Sequence, residues 1–281
     1  MLQLQAKKPV SYWLFFVFIT SYCLMSCSKE SENSHAHEKL RIITLAPHLA
    51  EMVASAGALD NLIGVVSYSD FPSQVKQLPH VGDAFKIDYE SIIRLNPDII
   101  LVWKGGTPQA VINKLKSLKL KLIETEIKKL DDIGKTIADI AKLTHTEAIA
   151  EKNIKRFEKK LQELKNNHAQ HQSLFLEISA QPLYTVSKQH WMSEAASVCG
   201  YENIFANLTQ LSAPVTLESV ISKDPQAILT VAQQPDKQWQ QWTTLKAVAN
   251  KQIFTISPDY FSRPTLRIVH GIEQLCGSNN S

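Results

Sequence analysis

The sequence predicts an α/β protein: two Rossmann-like lobes joined by a single long α-helix, with a cleft between the lobes. Three observations predict it. Short runs rich in Ile, Leu and Val alternate with helix-patterned segments across residues 39–281, the order of a parallel sheet covered by helices. Residues 146–168 contain neither Gly nor Pro, and Ile154, Phe157, Leu161 and Leu164 follow one another at steps of three, four and three. Finally, Tyr89–Leu101 (YESIIRLNPDIIL) is echoed by Leu217–Leu229 (LESVISKDPQAIL), with six of 13 positions identical. Each copy reads as a helix, a proline break and a buried strand, so the two lobes share one plan.

Residues 1–26 read as an export signal. Lys7 and Lys8 precede the uncharged stretch Val10–Met25, whose 16 residues are short for a membrane span. Leu24-Met25-Ser26-Cys27 resembles a lipobox, which makes Cys27 the candidate lipidation site; an ordinary signal peptide or an uncleaved anchor are the alternatives. Residues 27–38 are polar and charged and read as a flexible tether.

The first lobe is expected over 39–145. Its strands are Leu40–Leu45, Leu62–Val66, Asp98–Trp103 and Lys121–Glu124, and its helices are Glu51–Ala56, Asp88–Leu95 and Val111–Leu118. Residues 146–168 form the connecting helix, with Thr146 as its expected cap. The second lobe is expected over 169–281, with strands Ser173–Ile178, Ala227–Val231 and Ile253–Ile256. Its helices are Trp191–Val198, Glu218–Ser222 and Leu266–Leu275.

Composition narrows the function. Thirty Lys+Arg against 27 Asp+Glu give +3 with no long block of one sign, so no electrostatic case for nucleic acid exists. The four cysteines form no CxxC pair, which argues against a structural zinc knuckle. Once the signal is removed and Cys27 is set aside, Cys199 and Cys276 remain. In an exported chain they form either a bridge closing a 78-residue loop or two buried thiols.

No GxSxG, Walker loop, GxGxxG or HExxH is present, so no enzyme is predicted. The scattered His48, His80, His190 and His270 define no metal triad. The aromatics are more telling. Of Tyr68, Phe85, Trp103, Tyr184, Trp191 and Tyr260, Trp191 starts a helix and several others fall at strand ends or in connecting loops, where open α/β sheets place ligands. Ordinary packing accounts for some of them; as a set they suggest a pocket for a large, flat, partly apolar ligand.

The segments ITLAP (43–47), SYSDFP (67–72), LNPDIILVWKGG (95–106), VCGYENIF (198–205) and SPDYFSR (257–263) carry a resemblance. Over nearly all of residues 40–276 the chain resembles the helical-backbone substrate-binding proteins of ABC importers, and within them the cobalamin-binding branch. The resemblance implies a rigid connecting helix, a ligand but no cofactor, and a Cys199–Cys276 disulfide. It implies pocket positions at Tyr68, Trp103, Asp259 and Arg263, with Tyr184 in place of a phenylalanine. Two family tryptophans are absent, at Ala84 and near Ser212; Phe85 and Trp191 stand as candidate substitutes. Glu90 and Glu218, equivalent positions of the internal echo, match residues that pair with permease arginines.

The expected protein is a periplasmic or envelope monomer, lipid-anchored, whose partners are a corrinoid and the permease and ATPase of an importer. The alternative ligand is haem or a ferric siderophore. A siderophore needs several cations, and only Arg263, Arg267 and Lys104 offer themselves.

Overall fold

The computed structural model describes residues 39–83, 86–165, 171–231 and 237–278. The export signal, the tether, Cys27 and Phe85 lie outside the described residues.

The first half forms a four-stranded parallel sheet from β1 (Ile42–Thr44), β2 (Leu62–Val65), β3 (Ile99–Trp103) and β4 (Leu122–Thr125), in the order β2-β1-β3-β4. Helices α1 (Pro47–Ser55), α2 (Tyr89–Leu95), α3 (Gln109–Ser117) and α4 (Leu130–Thr144) cross over between or follow these strands. Next comes α5 (Glu147–Lys165), the long helix read over 146–168.

The second half repeats the plan. Strands β5 (Gln172–Glu177), β8 (Tyr201–Asn203), β10 (Ala227–Thr230) and β11 (Ile253–Thr255) make a parallel sheet in the order β11-β10-β5-β8. Its helices are α6 (Trp191–Val198), α7 (Leu217–Lys223), the short α8 (Lys237–Gln240), α9 (Lys246–Ala249) and α10 (Pro258–Phe261), and finally α11 (Ile268–Ser278). A small antiparallel sheet of β6 (Ser179–Ala180), β7 (Leu183–Val186) and β9 (Ser212–Pro214) was not expected.

The alternation of strand residues sorts the core. Ile42 and Leu101, together with Leu174, Leu176, Ala227 and Leu229 of the second sheet, join one cluster with the apolar faces of α1, α4, α5, α6 and α11. The intervening Ile43, Ile100 and Val102 pack outward under α2 and α3. Phe175 and Ile228 do the same beneath α7 and the fully buried Trp239. The long helix α5 contributes Phe157 and Leu161 to the shared core and packs on α1 and α4 on one side and α6 and α11 on the other.

Three local readings are corrected. Pro47 does not merely end a strand; it opens α1 at the position where proline's missing N–H costs nothing. Residues 130–144 form α4, to which the sequence reading assigned no helix, although Ile133, Ile137 and Ile140 keep a helical spacing and all three are buried. The Thr146 hydroxyl is 2.8 Å from that of Thr144; the backbone carbonyl of Thr146 is what accepts the first turn of α5, from Ile149 and Ala150.

The internal echo is geometric as well as sequential. Asp88 accepts from the Ser91 N–H and Thr216 from the Ser219 N–H, so each seven-residue helix is capped by a side chain. Each ends in a left-handed residue, Asn96 (φ 43°, ψ 66°) or Asp224 (φ 43°, ψ 65°), before its proline and buried strand. These residue types tolerate that conformation, which explains why the echo keeps Asn or Asp there.

Candidate functional site

The site gathers at the C-terminal ends of β1, β2 and β3, where parallel sheets present their loops. Trp103 ends β3, and its backbone N–H donates to the Thr107 hydroxyl at 3.0 Å. Its indole lies across Gly106, where an added Cβ would stand 1.8 Å from the ring. Glycine at 106 is therefore what lets the indole fold over the turn.

Tyr68 follows β2 with φ 66°, an unfavoured conformation for a bulky residue, and is 80% exposed. Trp103 and Tyr68 line a cavity of about 230 Å³ with Pro47, His48, Asp83 and Ile87.

His48 is the buried polar residue of this cavity. Its ring meets Trp103 edge-on at 5.0 Å, and its Nε2 has no hydrogen-bond partner. Burial, assisted by the nearby Arg263 charge, lowers its pKa to about 3, so it is neutral near pH 7. Trp103 in turn approaches Trp191 of the second half at 6.4 Å, and Trp191 stacks on His190 at 3.7 Å. Burial lowers His190 to about 4, and its Nδ1 accepts from the Met192 N–H. A run of aromatic contacts, His48–Trp103–Trp191–His190, thus crosses between the halves.

Beside it lies a charged cluster. Glu51, on α1, is 2% exposed, and Arg263 and Arg267 of the second half are each 17% exposed. Arg267 grips Glu51 with two bonds, Nε to Oε2 at 2.9 Å and Nη2 to Oε1 at 2.7 Å. Arg263 Nη1 donates to Glu51 at 3.0 Å and to Asp70 at 2.6 Å. Its Nη2 reaches the Tyr68 carbonyl at 3.2 Å and Asp259 at 3.0 Å. Burial disfavours the Arg263 charge, but Asp70 and Glu51 outweigh it and raise its pKa; Arg263 likewise outweighs burial at Asp70 and lowers that one.

Of the residues expected at the site, Tyr68, Trp103, Asp259 and Arg263 are brought together. Trp191 is buried beneath Trp103 and does not line the cavity. Tyr184 is half-buried in β7, paired with Ser179 and Pro214; like Asp259 and Arg263 it is not among the residues that line the cavity. Tyr260 packs on Arg267 and His270. Glu90 and Glu218 are exposed at the second position of α2 and α7. Cys199 and Cys276 are joined in a disulfide.

Among the described residues no group of three His, Cys, Asp or Glu side chains is placed to hold a metal ion. Sequence reasoning missed Glu51, Asp70 and the coupling of Arg267. The signal was an acid amid the apolar Leu49, Ala50, Met52 and Val53 of α1.

Two parallel α/β halves meeting at an aromatic and charged cleft suit a solute carrier. The chain belongs to the periplasmic binding protein family, whose model matches residues 42–260. It is a substrate-binding protein of the periplasm and not an enzyme. Among its relatives is the vitamin B12-binding protein of Vibrio cholerae, 35% identical over 241 residues that cover 84% of this chain and 87% of the relative. The vitamin B12-binding protein of Pectobacterium atrosepticum is 32% identical over 84% of this chain and 87% of its own. The crystal structure of the V. cholerae periplasmic vitamin B12 binding protein BtuF is similar at a TM-score of 0.77 and 33% identity, covering 86% of this chain and 97% of that one. The V. cholerae haem-binding protein HutB shares the fold, at a TM-score of 0.74 and 18% identity over 86% of this chain and 99% of that one.

Proposed function

We propose that the protein captures cobalamin or a related corrinoid at the Tyr68–Trp103–Arg263 cleft and delivers it to an ABC importer. The observation that carries this reading is the 35% identity, over most of both chains, to a protein named for vitamin B12 binding. Haem-binding proteins share the fold at half that identity or so, which favours the corrinoid over haem. A corrinoid is larger than the 230 Å³ cavity, so it would seat one edge there and spread across the exposed Tyr68 ring. Apolar ring faces and a few fixed polar groups suit a macrocycle rimmed with amides.

Tyr68 gives the cleanest test, because its exposed ring contributes little to folding. Tyr68→Ala is expected to weaken cyanocobalamin binding by about 1–3 kcal/mol without a change in thermal midpoint. Isothermal titration measures it, and equal affinity for the variant and the parent protein would remove Tyr68 from the site. Tyr184 and Trp191 enter the same titration as candidate contacts. Phe85 is a further candidate, from sequence alone.

Docking is read onto Glu90 and Glu218, one per half at matched places. A carboxylate on each half suits a permease of two like subunits presenting arginines, with its ATPase behind them. Glu90→Ala combined with Glu218→Ala is expected to leave cobalamin affinity unchanged and to weaken permease capture, with parent capture itself falling as salt rises. Unimpaired capture by the double variant would refute the assignment.

Residues 39–145 and 169–281 are taken as the lobes of a monomer and 146–168 as its rigid connector. Cys27 is taken as a lipid anchor; mass spectrometry of the mature N-terminus tests it.

A further inference from the structure

Glu51 is the one acid of α1, buried beside Leu49, Ala50, Met52 and Val53, and it sits where the two halves meet. A buried carboxylate is costly unless it is fully paired, and apolar replacements of such groups are often at least as stable. Stability alone is therefore a weak reason for its presence. Its partners suggest another. Both arginines that reach it come from the other half of the chain, 212 and 216 residues away. Arg267 occupies both of its oxygens, which fixes the carboxylate plane. The remaining approach to Oε1 is taken by Arg263 Nη1.

That bond, together with Asp259 at 3.0 Å from Nη2, sets where the second amino group of Arg263 points. Nη2 donates to the Tyr68 carbonyl, while Nη1 also holds Asp70. Both lie in the 67–72 segment, whose backbone is left-handed at Tyr68. Such a conformation persists where surrounding contacts over-determine it, and Arg263 supplies two of them. Contact runs from Glu51 through Arg263 to Tyr68 and Asp70, while Arg267 touches the same segment only at the Phe71 ring, 4.1 Å away; the Tyr68 ring is exposed at its end.

We propose that Glu51 is a positioning residue for the cleft: held by Arg267, it orients Arg263 so that the 67–72 segment presents Tyr68 to the ligand, and it sets ligand affinity without touching the ligand. The affinity arm of the test rests on the corrinoid reading above; the exchange arm does not.

Glu51→Gln keeps the shape and removes the charge. It is expected to raise the Kd for cyanocobalamin about tenfold or more, the scale of a lost charged hydrogen bond. In an Arg263→Met background the same change is expected to have no further effect, because the two residues act in series. Without any ligand, hydrogen–deuterium exchange of residues 67–72 is expected to speed up in Glu51→Gln. A residue that only stabilised the fold would lower the thermal midpoint, and its effect on affinity would add to that of Arg263→Met.

Additive effects, or unchanged affinity together with unchanged exchange, would overturn the proposal. Should Glu51→Gln fail to fold, Glu51→Asp tests the same link. Its shorter carboxylate draws back from Arg263, so the 67–72 amides again exchange faster; unchanged exchange contradicts it. A parent protein that binds no cyanocobalamin sinks the corrinoid reading, while the exchange measurement still decides this one.

Discussion

Replacing Cys276 with serine is expected to lower the unfolding free energy by about 4–5 kcal/mol, the chain-entropy value for a loop of this length. The bridge ties the end of α6 to α11 across 77 positions of sequence, and both sulfurs are buried. Without it, the unfolded second half gains the freedom that the cross-link withholds. Urea unfolding should show a midpoint lowered to the same extent by Cys276→Ser and by reductant acting on the parent protein. Equal midpoints for oxidised and reduced protein would mean that the bridge contributes nothing. Affinity for the ligand should change little in native conditions, since neither cysteine lines the cavity.

The second large effect is a loss of stability in acid that belongs to two histidines. His48 and His190 have folded-state pKa values of about 3 and about 4, below the ordinary 6.5. A lowered value means that the unfolded chain takes up the proton first. Stability is therefore fully present above pH 6.5 and falls as pH drops toward the folded values. Between pH 6.5 and about 4.5 the aspartates with lowered pKa, such as Asp70, remain largely ionised whether folded or not; glutamates such as Glu273 begin to add slope only toward the lower end, and comparison of parent with variant cancels it.

In that window each histidine is expected to remove about 1.4 kcal/mol per pH unit, or about 2–3 kcal/mol over the whole range. His48→Phe keeps a ring against Trp103 and should remove about half of the slope. A pH series of denaturant midpoints measures it. An identical slope in the variant would show that His48 takes up its proton as readily in the folded protein as in the unfolded chain.

The parallel sheets were legible because buried strands flanked by helices leave continuous apolar runs such as IILVW (99–103), with a proline or glycine at their margins. The echo was legible because two copies of one local solution keep the same cap, the same left-handed exit and the same strand. The small sheet of β6, β7 and β9 was not, because its strands are two to four residues long and carry no alternation to read. At the site, Tyr68, Trp103 and Arg263 could be named from local motifs. Glu51 could not, since its meaning depends on arginines more than 200 residues away. Trp191 was named as a substitute for an absent family tryptophan; that its ring meets Trp103 at 6.4 Å could not be read locally, because the two lie 88 positions apart in sequence.

The central claim is that this cleft selects a corrinoid. Its most direct test is equilibrium titration of the purified protein with cyanocobalamin and, separately, with haemin, followed by competition between them. Saturable binding of one cyanocobalamin per chain, weakened by Tyr68→Ala and undisturbed by excess haemin, is the predicted result. Uptake of haemin in preference to cyanocobalamin, or no cyanocobalamin bound at concentrations that saturate the V. cholerae relative, would contradict it.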